Sequence, residues 1–209
     1  MIAVPRFYPI LDSSCFASPD ALLEAAKQLL SSGVQILQYR NKSGDAASIL
    51  LETQDLRRMA CSSENAGALK LIMNDRADLC LAADFEGVHV GQDDLSVESA
   101  RKIIGPKRWL GVSTHNPPQV LEADQSSADY LAIGPVFGTA SKHNPDPVVG
   151  LEGVRAARRL TSKPLVAIGG INRTNCLSVL LAGADSVAVI SDLVKEPRSS
   201  AEEFLRLLR

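Results

Sequence analysis

The chain has 209 residues, with 22 Lys and Arg against 24 Asp and Glu, for a net charge of −2 at pH 7. That balance leaves no basic footprint for nucleic acid and no polybasic arm for a membrane surface. Hydrophobic residues at 45% and charged residues at 22% exclude a disordered chain and supply enough apolar surface for a core without staples. Apolar runs then alternate with amphipathic stretches. Residues 7–11 read as a strand; Ser18 caps a helix with Pro19 in its first turn, and Gly33 ends it. Strand 34–39 follows, then a helix over 45–64 with Leu50, Leu51, Leu56 and Met59 at helical spacing. Strands at 69–73, 87–90, 109–112, 130–133, 164–168 and 186–190 are each followed by a helix: 77–83, 96–104 capped by Ser96, 117–124, 151–160, 173–182 and 201–208.

Strict alternation of buried-looking strands with helices predicts a parallel sheet, and eight repeats predict a closed (βα)8 TIM barrel, α/β in class, as a single domain over 1–209. An open doubly wound sheet shares the alternation, and strand count alone does not separate the two. No apolar run approaches the roughly 20 residues of a membrane span. Met1 to Pro9 lacks the charged start and apolar stretch of a secretory signal. Cys15, Cys61, Cys80 and Cys176 have no zinc or redox spacing, so reduced thiols in a cytoplasmic protein are expected.

In such a barrel the chemistry sits where strands end and helices begin. The strand ends carry Gln38-Tyr39-Arg40-Asn41-Lys42, Asn74-Asp75-Arg76, Gly91-Gln92-Asp93-Asp94, Ser113-Thr114-His115, Thr139-Ala140-Ser141-Lys142, Gly169-Gly170-Ile171 and Ser191. Polar groups from seven of eight strands therefore face one rim. Gly169-Gly170 and Ile190-Ser191 follow strands seven and eight, the usual phosphate position of a barrel, although a tight turn also uses two glycines. Asp75 and Asp94 end neighbouring strands, as two carboxylates for a hard divalent ion, Mg²⁺, would; Asp93 competes for that role. Arg40, Lys42 and Lys142 suit the rest of a diphosphate. Arg76 faces either substrate or a structural carboxylate. His89 either lines the site or fills the barrel, His115 is a second candidate lining group, and His143 reads as solvated loop. The 134–150 segment is long for a compact barrel, and its Asn144-Pro145-Asp146-Pro147 run is stiff, as a lid moving as a flap would be. No Ser-His-Asp, Cys-His or zinc arrangement is legible.

These segments, with Gly87-Val88-His89-Val90, Gly111-Val112, Gly134-Pro135-Val136-Phe137, Val166-Ala167-Ile168 and Val187-Ala188-Val189, occur in an order that resembles the thiamine-phosphate synthase family over nearly the whole chain. The resemblance implies a transferase of thiamine biosynthesis. Its two small-molecule substrates would be 4-amino-2-methyl-5-(diphosphomethyl)pyrimidine and a thiazole phosphate, 4-methyl-5-(2-phosphoethyl)thiazole or its carboxylated form. The products are thiamine phosphate and diphosphate, formed by a dissociative substitution. It implies that Gln38, Tyr39, Arg40, Asn41, Lys42, Asn74, Ser113 and Lys142 bind the pyrimidine diphosphate, with Arg40, Lys42, Ser113 and Lys142 catalytic. Thr139, Ala140, Ser141, Gly170, Ile190 and Ser191 would bind the thiazole phosphate, and Asp75 and Asp94 would bind Mg²⁺. Two departures stand out: the family commonly has Thr-Pro-Thr-Lys at 139–142, and a glutamate where this chain has Asn41.

Three other readings share parts of this pattern. A thiazole tautomerase of the same barrel type would keep the phosphate glycines without a metal–diphosphate cluster. A sugar-phosphate isomerase would need an acid/base pair. A non-catalytic phosphate-ligand sensor would bind without turnover. A homo-oligomer is compatible with the sequence, which does not set the assembly; no nucleic-acid or membrane partner is expected.

Overall fold

The computed structural model describes residues 2–63, 67–138 and 146–209. Eight parallel strands close into a barrel in chain order: β1 Phe7–Asp12, β2 Ile36–Arg40, β3 Lys70–Asn74, β4 Gly87–Val90, β5 Trp109–Thr114, β6 Tyr130–Ile133, β7 Leu165–Ile168 and β8 Ser186–Val189. The helices are α1 Pro19–Ser31, α2 Ala46–Cys61, α3 Ala77–Ala82, α4 Val97–Ile104, α5 Pro117–Gln125, α6 Gly150–Leu160, α7 Cys176–Leu181 and α8 Pro197–Leu207. Closure decides between barrel and open sheet: β1 pairs with β8 through Phe7–Val187, Tyr8–Ala188 and Pro9–Val189.

Caps set the helix starts. Ser18 Oγ accepts the Ala21 N–H at 3.2 Å, Asp45 Oδ1 accepts Ser48 N–H at 2.9 Å, and Ser96 Oγ accepts Ser99 N–H at 3.2 Å. Gly33, at φ 85°, takes the left-handed turn that ends α1. The expected helix 45–64 ends earlier, at Cys61, and the starts of two other helices shift by three residues or more. α8 begins at Pro197, ahead of the expected 201, because proline suits a first turn that a Ser-Ser pair does not advertise. α7 begins only at Cys176, because the Asn172 side chain folds residues 172–175 into a turn by accepting from the Thr174 N–H and hydroxyl.

Alternation along the strands splits the core in two. Tyr8, Ile10, Ile36, Ile72, Tyr130, Ala132, Val166 and Ala188 fill the barrel. Phe7, Leu11, Leu37, Tyr39, Leu71 and Met73 face outward onto the helices. Phe7 stacks on Phe204 of α8 at 4.8 Å between ring centroids. Trp109 packs against the inner cluster.

The rim at the strand starts is held by a recurring staple. Glu86, Asp129 and Asp185 each accept the N–H of the preceding strand, from Leu71, Leu110 and Leu165, at 2.8 Å. Each also pairs with an arginine on the second helix before it: Arg57 of α2 with Glu86 at 2.6 Å, Arg101 of α4 with Asp129 at 2.6 Å, Arg158 of α6 with Asp185 at 2.7 Å. Stability devices thus gather at one rim, and the opposite rim is left for chemistry. Among the described residues, no helix is long and apolar enough to cross a membrane.

Candidate active site

A cavity of about 430 Å³ opens at the strand ends. β3 and β4 lie across the closed barrel from β7 and β8, so the acidic and the glycine-rich segments face each other over it.

On the β1–β4 side, inward alternation delivers Gln38 and Arg40 from β2 and Asn74 from β3 to the cavity. Asp12 and Arg40 are direct register partners, and an Arg40 Nη1–Asp12 Oδ2 ion pair joins them. Asp12 is 1% exposed, and its Oδ1 also accepts the Ser14 N–H at 3.0 Å and hydroxyl at 2.7 Å. Lys42 Nζ lies 3.0 Å from Asp75 Oδ2. The Asp75 and Asp94 carboxyl groups share a hydrogen bond, and Asp94 Oδ2 also accepts the Gly91 N–H at 2.8 Å. Burial first, and then the Asp94 carboxyl, push the Asp75 carboxyl up to about 6, while Lys42 pulls it down. Asp75 is aimed by a left-handed backbone, φ 62°, with its N–H on the His89 carbonyl at 2.7 Å.

On the β7–β8 side, Gly169 and Gly170 take φ of 102° and 62°. A Cβ at Gly170 would sit 2.5 Å from the Gly138 carbonyl oxygen, so the loops after β6 and β7 touch backbone to backbone. Ile190 and Ser191 complete that wall, and Ser191 opens a 3₁₀ turn over Ser191–Leu193.

The floor is polar. Gln38 Nε2 donates to the Tyr8 hydroxyl at 3.0 Å, Tyr8 meets Tyr130 at 2.8 Å, Tyr130 meets His89 Nδ1 at 3.2 Å, and His89 Nε2 meets Ser113 Oγ at 2.9 Å. Burial pushes the His89 imidazole down to about 4 against the opposing pull of Asp94, so it is neutral near pH 7. His89 therefore does both jobs the sequence left open: it fills the barrel and lines the cavity. His115 Nδ1 donates to the Gly134 carbonyl at 2.6 Å, and its Nε2 lies 3.5 Å from Asp146.

Of the expected site residues, Gln38, Arg40, Lys42, Asn74, Asp75, Asp94, Ser113, Gly170, Ile190 and Ser191 all line this one cavity. Two side chains are not brought to it. Tyr39 points outward, as an odd position between inward Gln38 and Arg40 must, and its hydroxyl donates to Glu52 of α2. Asn41 organises its own loop: Oδ1 accepts the Ser43 and Gly44 N–H groups, and Nδ2 donates to the Tyr39 hydroxyl at 3.1 Å. Arg76 pairs with Asp78 at 2.6 Å, the structural alternative. Asp93 also lines the cavity, but it is Asp94 that meets Asp75. Thr139, Ala140, Ser141, Lys142 and His143 lie outside the described residues, as do Asn144 and Pro145 of the expected flap.

The family model described as thiamine monophosphate synthase matches residues 7–193. The chain belongs to the thiamine monophosphate synthase family. Among relatives, the thiamine-phosphate synthase of Koribacter versatilis is 57% identical over 99% of this chain and 97% of its own length. That of Chloroflexus aurantiacus is 44% identical over 90% and 85%. The solved thiamine phosphate pyrophosphorylase from Pyrococcus furiosus superposes with a TM-score of 0.84 at 31% identity, covering 97% of this chain and 95% of that one. This member of the thiamine monophosphate synthase family is thus a transferase of thiamine biosynthesis built on a TIM barrel. In it, sequence reasoning missed Asp12, Tyr8 and Tyr130. The signal was available: each holds an inward position two or four residues from another inward residue on its strand.

Proposed function

We propose that this cavity joins the pyrimidine and thiazole halves of thiamine. The methylene carbon of 4-amino-2-methyl-5-(diphosphomethyl)pyrimidine loses diphosphate and is captured by the ring nitrogen of 4-methyl-5-(2-phosphoethyl)thiazole, or of its carboxylated form, which then also releases its carboxyl group as CO2. One observation carries the reading: two anion-suited walls face each other across one cavity of about 430 Å³. One wall has Arg40, Lys42 and an acidic pair; the other has left-handed glycines and a strand-eight turn.

The acidic pair fits Mg²⁺. Two hard oxygen donors meet side by side, one of them is desolvated, and a lysine ammonium already stands beside it in a cation's place. Among the described residues no cluster of three or more His, Cys, Asp or Glu competes. Bound by Asp75 and Asp94, Mg²⁺ would neutralise charge on the departing diphosphate. Arg40, held by Asp12, and Lys42, displaced from Asp75 by the ion, would take the remaining phosphate oxygens. Lys142 belongs with them by resemblance.

The C–O bond to diphosphate breaks, and the electron-rich aminopyrimidine carries the positive charge on its methylene. Gln38, Asn74 and Ser113 hold that ring over the floor. Gly170, Ile190 and Ser191, with Thr139 to Ser141 by resemblance, hold the thiazole phosphate so that its nitrogen faces the methylene. No protein nucleophile takes part. None of the four cysteines lines the cavity, and burial pushes the Cys80 thiol up to about 12. Four free thiols also fit a reducing, cytoplasmic setting, and one barrel carries the whole site.

The test is to incubate purified protein with both substrates and Mg²⁺, with and without EDTA, and assay thiamine phosphate and diphosphate. Metal-dependent formation of both in equal amounts is expected. Thiazole phosphate binding without product moves the reading to a tautomerase or a sensor.

A further inference from the structure

We propose that Tyr130 is a positioning residue: a one-way chain of hydrogen bonds running through it fixes His89 as the Nε2–H tautomer and leaves the Ser113 hydroxyl hydrogen free to point into the cavity. The chain spans the floor from β2 to β5 in five members: Gln38, Tyr8, Tyr130, His89 and Ser113. Tyr8, Tyr130 and His89 are 1%, 0% and 8% exposed, so their polar atoms depend chiefly on one another for hydrogen bonds. Each hydroxyl has one hydrogen to give.

The donor at one end sets the direction. Gln38 Nε2 gives a hydrogen to the Tyr8 oxygen. Tyr8 then gives its own to Tyr130, and Tyr130 gives its own to His89 Nδ1. A neutral imidazole that accepts at Nδ1 carries its proton on Nε2, which donates to Ser113 Oγ. In the opposite sense, Tyr8 would accept twice and its own hydrogen would be buried without a partner. Ser113 Oγ accepts from His89, so its hydrogen is free for an acceptor atom of the substrate. On the pyrimidine reading above, on which this consequence rests, a ring nitrogen is such an acceptor.

The backbone is built to admit this chain. Gly111 of β5 is the register partner of both His89 on β4 and Tyr130 on β6. Tyr130 therefore reaches His89 across Gly111. A Cβ at Gly111 would lie 2.1 Å from Tyr130 Cζ and 2.5 Å from His89 Nδ1. No side chain fits there without parting the two.

The test reads the tautomer directly, with no substrate present. The ¹⁵N spectrum of histidine-labelled protein near pH 7, with His89 assigned by its loss in His89→Asn, is expected to show a protonated Nε2 and a hydrogen-bonded, unprotonated Nδ1. Tyr130→Phe keeps the ring and removes the link; it is expected to mix the His89 tautomers. The same variant should raise KM for the pyrimidine diphosphate about tenfold while leaving that for the thiazole phosphate unchanged. A His89 proton on Nδ1 in the unmodified protein reverses the chain and overturns the proposal, as does an unchanged tautomer in Tyr130→Phe. Should that variant not fold, the unmodified protein's spectrum still decides the direction, and Gly111→Ala parts Tyr130 from His89 without removing a hydrogen-bonding group. If the tautomers behave as expected but the unmodified protein makes no thiamine phosphate, the functional reading fails and the positioning role stands.

Discussion

The Lys42 ammonium and the Asp75 carboxylate lie 3.0 Å apart, with the Asp94 carboxyl hydrogen-bonded to the same aspartate. Lysine and metal thus compete for one carboxylate, and a bound divalent ion frees Lys42 to turn toward phosphate. Asp75→Ala is expected to cut turnover by about 100-fold or more with the fold intact. Steady-state rates against Mg²⁺ concentration, with circular dichroism as the control, check this. Near-normal turnover would remove Asp75 from the metal role.

The same carboxyl gives a pH signature to metal binding. Held at about 6 in the metal-free protein, it is protonated below that pH and must lose its proton to become a ligand. Mg²⁺ affinity should therefore weaken as pH falls through about 6. Titration calorimetry in two buffers of different ionisation enthalpy should show proton release there. Affinity that stays flat between pH 7 and 5 would contradict it.

His89 controls stability with a definite sign. Folded, it stays neutral down to about 4, and the unfolded chain titrates near the ordinary 6.5. Between those values the unfolded chain binds more protons, so the contribution is complete above 6.5 and is lost as pH falls toward 4. Its full span is about 3 kcal/mol. Asp75, raised above 3.8, acts in the opposite sense between 3.8 and about 6. The clean measurement is therefore the difference in unfolding free energy between the protein and His89→Asn. That difference should change by a few kcal/mol from pH 7 to pH 4.5, and a flat difference would refute neutral burial.

Gly170→Val should act on the other substrate. At φ 62° a branched side chain is strained, and its Cβ meets the Gly138 carbonyl. A raised KM for the thiazole phosphate is expected, with the pyrimidine diphosphate KM little changed. The reverse result would exchange the two walls.

Asp12→Ala should destabilise by about 3 kcal/mol in urea unfolding, because it leaves the Arg40 guanidinium beside an empty, buried position. A loss under 1 kcal/mol would mean that Arg40 finds other partners without rearrangement.

The order of strands and helices was legible because eight apolar runs are punctuated by caps and glycines that act locally, Ser18, Gly33 and Ser96 among them. The cavity residues were legible because a barrel sends every strand end to one rim. Side-chain direction was harder. Tyr39 and Asn41 sit among true lining residues in sequence, and only the two-residue alternation of β2, extended one step past its end, separates them. Tyr8 and Tyr130 look like ordinary core residues, and their polar role appears only when two strands 122 residues apart are brought together. Asp12 is the one charged residue of its strand and stands at its end.

Asp75 pays a conformational cost for its place. It holds a left-handed φ of 62° that a glycine would occupy without strain. Variants screened for heat resistance alone should therefore drift toward glycine or asparagine at 75, gaining backbone comfort as they lose the carboxylate. An aspartate kept there under such pressure would be a record of selection for turnover, readable without any assay.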